Sequence, residues 1–227
     1  MISVAMIVLN EEQLIARCIK ALSWADEIVI VDGGSSDKTV DIIKKLKSLY
    51  EVRLYQKAFT GHFGDQKNFA ISLTSGDWIF IVDADENMEP GLISELKSIA
   101  VDNNMYDAVA IPRKNFINGI QTTAYPDYQF RFFRAFCRYI YPVHEELIGH
   151  RSLYFAKHHI IHHKTNEKQK MQNDYYGHNR KTLTRFYRER HEEWDNIHFI
   201  SMHRMLQSNI YGFSITGVFR SCISNSR

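Results

Sequence analysis

Residues 78–86, Trp78-Ile79-Phe80-Ile81-Val82-Asp83-Ala84-Asp85-Glu86, form an apolar run of strand length that ends in three carboxylates within four residues. Asp83 and Asp85 lie two positions apart, so they point to the same side if the extended conformation continues. Such a pair beside a buried strand end can hold a hard divalent cation, which prefers carboxylate oxygens and keeps positions for water and substrate phosphates. An acidic turn after a strand is the alternative interpretation.

Strand and helix patterns alternate around this stretch. Apolar strand patterns cover residues 3–9, 27–31, 52–55 and 78–82, and helical spacing covers 14–22, 40–49 and 65–73. This alternation predicts a parallel sheet, in which ligands bind beyond the carboxyl ends of the strands. Those ends carry Asn10-Glu11, Asp32-Gly33-Gly34 and Asp83-Ala84-Asp85. Neither GxGxxG nor GxxxxGK[ST] occurs, which disfavours a Rossmann dinucleotide site and a P-loop.

Composition indicates a cytosolic protein with its own hydrophobic core. The 227 residues suit one large α/β domain, or one domain with an appendage. The three cysteines, Cys18, Cys137 and Cys222, lie far apart and form no CxxC, which argues against a disulfide framework or a thiolate zinc site. The first apolar run spans about nine residues and has no basic flank, so we interpret it as a strand rather than a signal peptide or bilayer span.

Charge separates the chain into an acidic first part and a basic tail. Residues 1–150 carry 15 Lys/Arg against 20 Asp/Glu, whereas residues 151–227 carry 13 against 6. The basic tail indicates either an anionic partner or a solvated basic face. Residues 167–194 have the spacing of amphipathic helices, and polar residues interrupt the apolar segment 197–219, which allows docking, dimerisation or shallow membrane contact. We predict a domain over 1–165 and an appendage over 166–227.

Three motifs in order resemble a known family. ISVAMIVLNEE at 2–12, DEIVIVDGGSSDKTVDI at 26–42 and GDQKNFAISLTSGDWIFIVDADE at 64–86 together resemble the family 2 glycosyltransferases with the GT-A fold. The likeness is greatest to the short branch that includes the lipopolysaccharide core β-glucosyltransferases and similar bacterial and large-virus enzymes. It extends more weakly through YPDYQFRFFR and PVHEEL to about residue 165.

The resemblance implies a site for a nucleoside diphosphate sugar, with a UDP-sugar favoured. The end of the first strand and Asp32 would hold the base and ribose, and the start of the third helix would approach the diphosphate, where Lys67 would offset its charge. A solvated helix lysine is the alternative interpretation of Lys67. The implied nucleotide-sugar set is Leu9, Glu11, Asp32, Ser35, Gln66, Lys67, Asn68, Asp83 and Ala84.

The same resemblance implies a metal site. Asp83 and Asp85 would form the DXD motif that holds Mn²⁺ or Mg²⁺ against the phosphates, with Glu86 as a supporting group. Some GT-A enzymes use a late histidine as a further ligand, so His162 and His163 in the run HHIIHH at 158–163 are candidates. Surface histidines are the alternative, since no Cys or acidic partner lies at zinc-ligand spacing.

Inverting transfer also needs a base that deprotonates the acceptor hydroxyl. The segment Val143-His144-Glu145-Glu146 resembles a variant of the family's base motif, so Glu145 is the first candidate. Asp127 is the rival, and a salt bridge to Arg131 or Arg134 is its structural alternative.

The segment QFRFFR at 129–134 alternates aromatic with polar or basic residues before the alternation breaks. Such a pattern suits an edge strand near a phosphate site, and it also suits single-stranded nucleic acid binding. We favour a half-buried strand with one arginine facing the donor, because the upstream motifs already indicate a ligand class.

These observations predict an α/β protein with the GT-A fold, in which helices flank a Rossmann-like, mostly parallel central sheet and a helical appendage follows. The predicted activity is metal-dependent, inverting transfer of a hexose to a glycan, lipid-linked or protein-linked acceptor. The predicted location is cytoplasmic, with peripheral membrane contact through the tail, and nucleic acid is not an expected partner. A nucleotidyltransferase and a non-enzymatic module that binds nucleic acid or an anionic surface stay open as alternatives.

Overall fold

A computed structural model of the chain describes residues 1–102, 105–123, 125–141, 145–166, 168 and 170. The chain divides into the units Met1–Gln169 and Lys170–Arg227, and the first is described below. Most of the predicted appendage therefore lies outside the described residues, and its boundary at residue 165 stays a prediction. Among the residues that are described, none of the helices has the length and apolar character needed to cross a bilayer.

Helices and strands alternate in the first half, and strands dominate the second. The helices are α1 (Ile15–Ala21), α2 (Thr39–Leu46), α3 (Phe63–Ser72) and α4 (Leu92–Val101). The strands are β1 (Ile2–Val8), β2 (Glu27–Asp32), β3 (Val52–Gln56), β4 (Trp78–Ile81), β5 (Glu86–Met88), β6 (Ala108–Ile117), β7 (Ile120–Gln121), β8 (Asp127–Arg134), β9 (Arg138–Ile140), β10 (Glu146–Ile148), β11 (Leu153–Phe155) and β12 (Ile160–Lys164).

One sheet organises the described part, with the strand order β3-β2-β1-β4-β8-β6-β12-β5. Strands β3, β2, β1 and β4 are mutually parallel, as the βα alternation predicts. Strand β8 then pairs antiparallel with both β4 and β6, β12 lies parallel to β6, and β5 closes the order antiparallel to β12. The α/β fold class with a mostly parallel first half is confirmed, and it brings the ends of β1, β2 and β4 to one edge.

Helices cover the parallel half on both faces, which explains its continuous apolar runs. Val4 and Met6 of β1 pack with residues of α1, α2 and α4, whereas Ala5 faces the opposite side and packs with residues of α3. Each fully buried Val or Met side chain contributes about 1.5–3 kcal/mol through removal from water. Two closely packed layers therefore hold the strand ends in place.

The structure corrects two details of the sequence interpretation. Strand β8 contains the segment 129–134, whose pattern also suits an edge strand, but it lies inside the sheet between β4 and β6. Its last residues are buried because both neighbours pack against it. In addition, the extended conformation does not continue past β4: the Glu86 N–H donates to the Asp83 carbonyl oxygen at 3.0 Å, which closes a turn over residues 83–86.

Candidate active site

A turn at the carboxyl end of β4 carries the acidic triplet. The Glu86 carboxylate stabilises this turn, because its Oε2 accepts the Asp83 backbone N–H at 3.0 Å. Ala84 is buried between the two aspartates. Asp83 and Asp85 contact different cationic side chains. The turn, and not the alternation of side chains along a strand, brings both carboxylates to this edge of the sheet.

Two arginines pair with the carboxylates on one side of the turn. Arg131 of β8 is 4% exposed, and its Nη2 lies 2.7 Å from Asp83 Oδ2 and 3.2 Å from Glu86 Oε1. Arg113 of β6 donates to the same Glu86 oxygen at 3.2 Å. Burial raises the pKa of Asp83, but the charges of Arg131 and Lys67 outweigh burial and hold that pKa well below its usual range. Asp83 is therefore ionised at neutral pH. Within the segment QFRFFR at 129–134, Arg131 is the arginine that faces the acidic turn.

Asp85 faces a histidine and a lysine. His162 Nε2 lies 3.5 Å from Asp85 Oδ1, and Lys168 Nζ lies 3.6 Å from Asp85 Oδ2. Lys168 also contacts both carboxylate oxygens of Glu11, at 2.7 and 2.8 Å. Burial raises the pKa of Asp85, but the neighbouring His162 and the charge of Lys168 together outweigh burial, so the net shift of that pKa is downward. This lysine links the residues that follow β1 to the turn that follows β4, and the two strand ends converge as predicted.

Glu11 lies in an unfavourable position for a negative charge. Burial raises its pKa, the hydrogen bond and charge of Lys168 offset this only in part, and Asp85 and Asp83 raise it further. Glu11 thus belongs electrostatically to the acidic site as well as to the end of β1.

The predicted base-and-ribose residues build a loop beside β1. Asp32 is fully buried, and its carboxylate accepts the backbone N–H groups of Gly34 and Ser35 at 3.1 Å each. Ser35 Oγ in turn accepts the Asn10 N–H at 2.9 Å. Leu9 is 45% exposed at the same edge. Asp32 therefore shapes this loop, and Leu9 offers an open apolar surface next to it.

The three candidate residues in the first turns of α3 differ in the groups that they contact. Lys67 is buried and its Nζ lies 3.1 Å from Glu145 Oε1. The Asn68 amide donates to the Tyr139 carbonyl at 2.7 Å and accepts the Tyr139 N–H at 2.9 Å, so both ends of its amide are used. Gln66 is buried and donates to the Lys57 carbonyl at 2.8 Å. Of these three helix residues, Lys67 is the one joined to a charged site residue.

The two candidate bases differ in their surroundings. Asp127 Oδ2 accepts from Arg113 Nε and Nη2 and from Asn115 Nδ2, and Oδ1 accepts from Gln129 Nε2. The salt bridge expected with Arg131 or Arg134 is thus made with Arg113 instead. Burial raises the pKa of Asp127, but hydrogen bonds from Asn115 and Arg113 lower it overall. Within the described residues, Glu145 pairs with Lys67, whereas four donor atoms surround the Asp127 carboxylate.

The two candidate histidine ligands separate because successive strand residues face opposite sides. His162 is buried and faces Asp85, whereas His163 is exposed and stacks on Phe116, with ring centroids 5.1 Å apart. Sequence reasoning passed over Arg113, Asn115 and Lys168. The spacing of Arg113 and Asn115, two residues apart on one strand, is the pattern that could have indicated the first two, whereas Lys168 has no local signal.

Comparison with known proteins identifies the class. The sequence profile described as "Glycosyl transferase family 2" matches residues 3–211, past the end of the motifs noted above. The chain belongs to this family, and the prediction of a glycosyltransferase is confirmed at that level. The match favours this class over the nucleotidyltransferase and the non-enzymatic binding module.

Individual relatives match part of their length. The lipopolysaccharide core biosynthesis glycosyltransferase LpsC of Rhizobium meliloti is 31% identical over 119 residues, which is 52% of this chain and 44% of LpsC. An uncharacterized glycosyltransferase of Rickettsia typhi is 38% identical over 104 residues, 45% of this chain and 34% of that protein. The chain thus aligns with less than half the length of these relatives.

A solved structure confirms the fold. TarS of S. aureus in complex with UDP-GlcNAc superposes with a TM-score of 0.59 at 17% identity, and the match covers 72% of this chain and 58% of the TarS chain. At that identity the likeness shows the fold alone. The GT-A fold predicted from the sequence is therefore confirmed.

Proposed function

We propose that this chain transfers a hexose, with inversion, from a nucleoside diphosphate sugar to a glycan, lipid-linked or protein-linked acceptor. UDP is the favoured nucleotide, and Mn²⁺ or Mg²⁺ is the proposed cofactor. The names of two similar proteins support this choice: LpsC is named for lipopolysaccharide core biosynthesis, and the TarS structure holds UDP-GlcNAc. A cytoplasmic location with peripheral membrane contact through the tail belongs to the same proposal.

The observation that carries the proposal is the meeting of Asp83, Asp85 and Glu11 at one sheet edge, each against a cation. Arg131 pairs with Asp83 at 2.7 Å, and Lys168 spans Glu11 and Asp85. Alternating charges of this kind suit a ligand that is itself a metal-bound anion, because cations attract the diphosphate and carboxylates attract its metal.

The residues present fit a hard divalent cation. Asp85 Oδ1 and His162 Nε2 lie 3.5 Å apart and are ligand types that Mn²⁺ accepts. In the parts of the chain described here, no three His, Cys, Asp or Glu side chains form a ready-made metal cluster. That suits a cation held by one or two carboxylates together with substrate phosphates. The bound ion would supply Lewis-acid stabilisation of the leaving diphosphate.

The chain's own residues supply the remaining chemistry. We assign the base to Glu145, which removes the acceptor proton as the hydroxyl attacks the anomeric carbon. Lys67 Nζ, 3.1 Å from Glu145 Oε1, orients this carboxylate and adds positive charge beside the diphosphate. Arg131 keeps Asp83 ionised, and Asp32 holds the loop that faces the base and ribose.

Calorimetry of UDP binding, with and without Mn²⁺, tests the proposed donor site. Replacing Asp83 and Asp85 by Asn keeps their shape and removes the charge, so the affinity for UDP with Mn²⁺ should fall by at least about tenfold, or about 1.4 kcal/mol. Asp41→Asn, on the exposed face of α2, is the matched control and should bind as the wild type does. Equal affinity in the double variant and the wild type would contradict the metal assignment.

A screen of nucleotide sugars for metal-dependent hydrolysis identifies the donor. Release of UDP from one sugar above the others would define the hexose. If no UDP-sugar were hydrolysed but another nucleotide sugar were turned over, the choice of uracil as the nucleobase of the donor would be contradicted.

A further inference from the structure

A line of polar contacts runs from Asp127, the rival base, through Asn115 and His162 to Asp85. Asn115 Nδ2 donates to Asp127 Oδ2 at 2.8 Å, and Asn115 Oδ1 contacts His162 Nδ1 at 2.8 Å. The other ring nitrogen of His162, Nε2, faces Asp85 Oδ1 at 3.5 Å. Asn115 and His162 are direct neighbours across β6 and β12, and Arg113 is the neighbour of Asp127 across β6 and β8. Paired strands therefore hold every member of this line except Asp85.

The direction of each hydrogen bond follows from Asp127. Two donors of Arg113 and one of Gln129 surround its carboxylate, and their contacts lie between 2.7 and 3.1 Å. An ionised carboxylate can only accept, so the Asn115 amide must turn its NH₂ group toward Asp127. The Asn115 carbonyl oxygen then faces His162, and Nδ1 of His162 must carry the proton.

The consequence appears at the far nitrogen of the ring. When Nδ1 carries the proton of the neutral ring, Nε2 holds a lone pair that faces the Asp85 carboxylate. Two such acceptors are a favourable pair for a cation between them. Neighbouring ligands on bonds of about 2.1 Å at a right angle lie about 3 Å apart, close to the separation seen here. Histidine ligands usually donate their second N–H to a carbonyl or carboxylate in this way.

We propose that Asp127 and Asn115 are positioning residues that fix His162 in the Nδ1–H tautomer, so that Nε2 joins Asp85 in holding a divalent cation. The metal-binding part of this inference rests on the proposed function. The tautomer of His162 depends on hydrogen bonds that exist without the metal. Positioning of this ring gives Asp127 a role other than that of the general base. The four donors around its carboxylate leave it poorly suited to take a proton from an acceptor.

Asp127→Leu separates these roles because it removes the acceptor that orients the Asn115 amide. The amide can then turn its NH₂ group toward His162 Nδ1, and the Asp85 carboxylate accepts the ring proton at Nε2. The ¹⁵N chemical shifts of labelled histidines in the metal-free full-length protein report the tautomer. His162→Gln identifies the signals that belong to this ring.

We expect the wild type to show Nδ1–H and Asp127→Leu to show Nε2–H. In calorimetry with UDP present, we expect Mn²⁺ affinity to fall about 10- to 100-fold in the variant. Gln129→Ala is the matched control: it removes a donor to Asp127 Oδ1 but leaves Asn115 in place, so the tautomer should not change. If Asp127→Leu does not fold, Asn115→Ala keeps the Asp127–Arg113 pair and should give mixed tautomers and weaker Mn²⁺ binding.

An Nε2–H tautomer in the wild-type protein would overturn the inference. So would an unchanged tautomer and unchanged Mn²⁺ affinity in Asp127→Leu, and if kcat alone fell in that variant, Asp127 would be the base. The expected tautomers in a wild-type protein that binds no Mn²⁺ would support the role of Asn115 and contradict the metal in the proposed function.

Discussion

Replacement of Arg131 by Met should destabilise the protein more than replacement of any exposed arginine. Arg131 is 4% exposed and pairs with Asp83 and Glu86, whose side chains are 33% and 1% exposed. Removing one partner of a buried ion pair costs about 3–5 kcal/mol, because the other charge stays buried. Glu86 keeps Arg113, and water can reach Asp83, so we expect the lower end, about 3 kcal/mol. For a domain of this size, that lowers Tm by about 6–12 °C.

Thermal unfolding followed by circular dichroism measures this loss, and urea unfolding gives the free energy independently. Arg17→Met is the control, since Arg17 lies exposed on α1. Replacing an exposed charge usually changes stability by no more than about 0.5 kcal/mol, so the Tm should change by no more than a few degrees. Equal losses in both variants, or a wild-type Tm in Arg131→Met, would refute the reasoning that burial of this guanidinium sets its contribution.

Three further predictions follow from the described contacts. Glu145→Gln should lower kcat by about 10²–10⁴ and leave UDP affinity unchanged, because a base acts on the acceptor proton; a wild-type kcat in steady-state assays would exclude it as the base. Asn68→Ala should lower the free energy of unfolding, measured in urea, by about 1–3 kcal/mol, because the Asn68 amide makes two hydrogen bonds with the Tyr139 backbone. UDP affinity in calorimetry should not change, and weaker UDP binding would mean that Asn68 contacts the donor. Burial raises the pKa of Glu27, but hydrogen bonds from Ser3 and Ser75 and the charge of Arg53 lower that pKa below 4.5 overall. The ionised Glu27 therefore stabilises the folded protein above pH 4.5, and this stabilisation is lost as the pH falls. In Glu27→Gln, the free energy of unfolding should therefore fall less steeply with decreasing pH below pH 4.5 than in the wild type. The same pH dependence in both proteins would contradict this.

Local patterns were sufficient to predict the parallel half of the fold. The apolar runs that became β1, β2 and β4 are continuous because helices cover both faces, and continuity of this kind is visible in the chain itself. The polar groups directly after these strands were predicted to converge, and Lys168 spanning Glu11 and Asp85 shows that they do. The resemblance of three motifs then indicated the GT-A fold and the family, both of which are confirmed.

Long-range pairings decided the rest of the site. Periodicity indicates that 129–134 is a strand, but it carries no information on the neighbours of that strand. Insertion of β8 between β4 and β6 brings Arg131 to Asp83. Lys168 and Glu11 are 157 residues apart and have no local pattern that links them. The amino-acid sequence by itself determined strands β1 to β4 and β8 and the polar residues that follow β1, β2 and β4, whereas the remaining strands carried no pattern that had been used to predict them. Tertiary structure alone decided their partners, because the register between distant strands depends on packing and hydrogen bonding across the whole sheet.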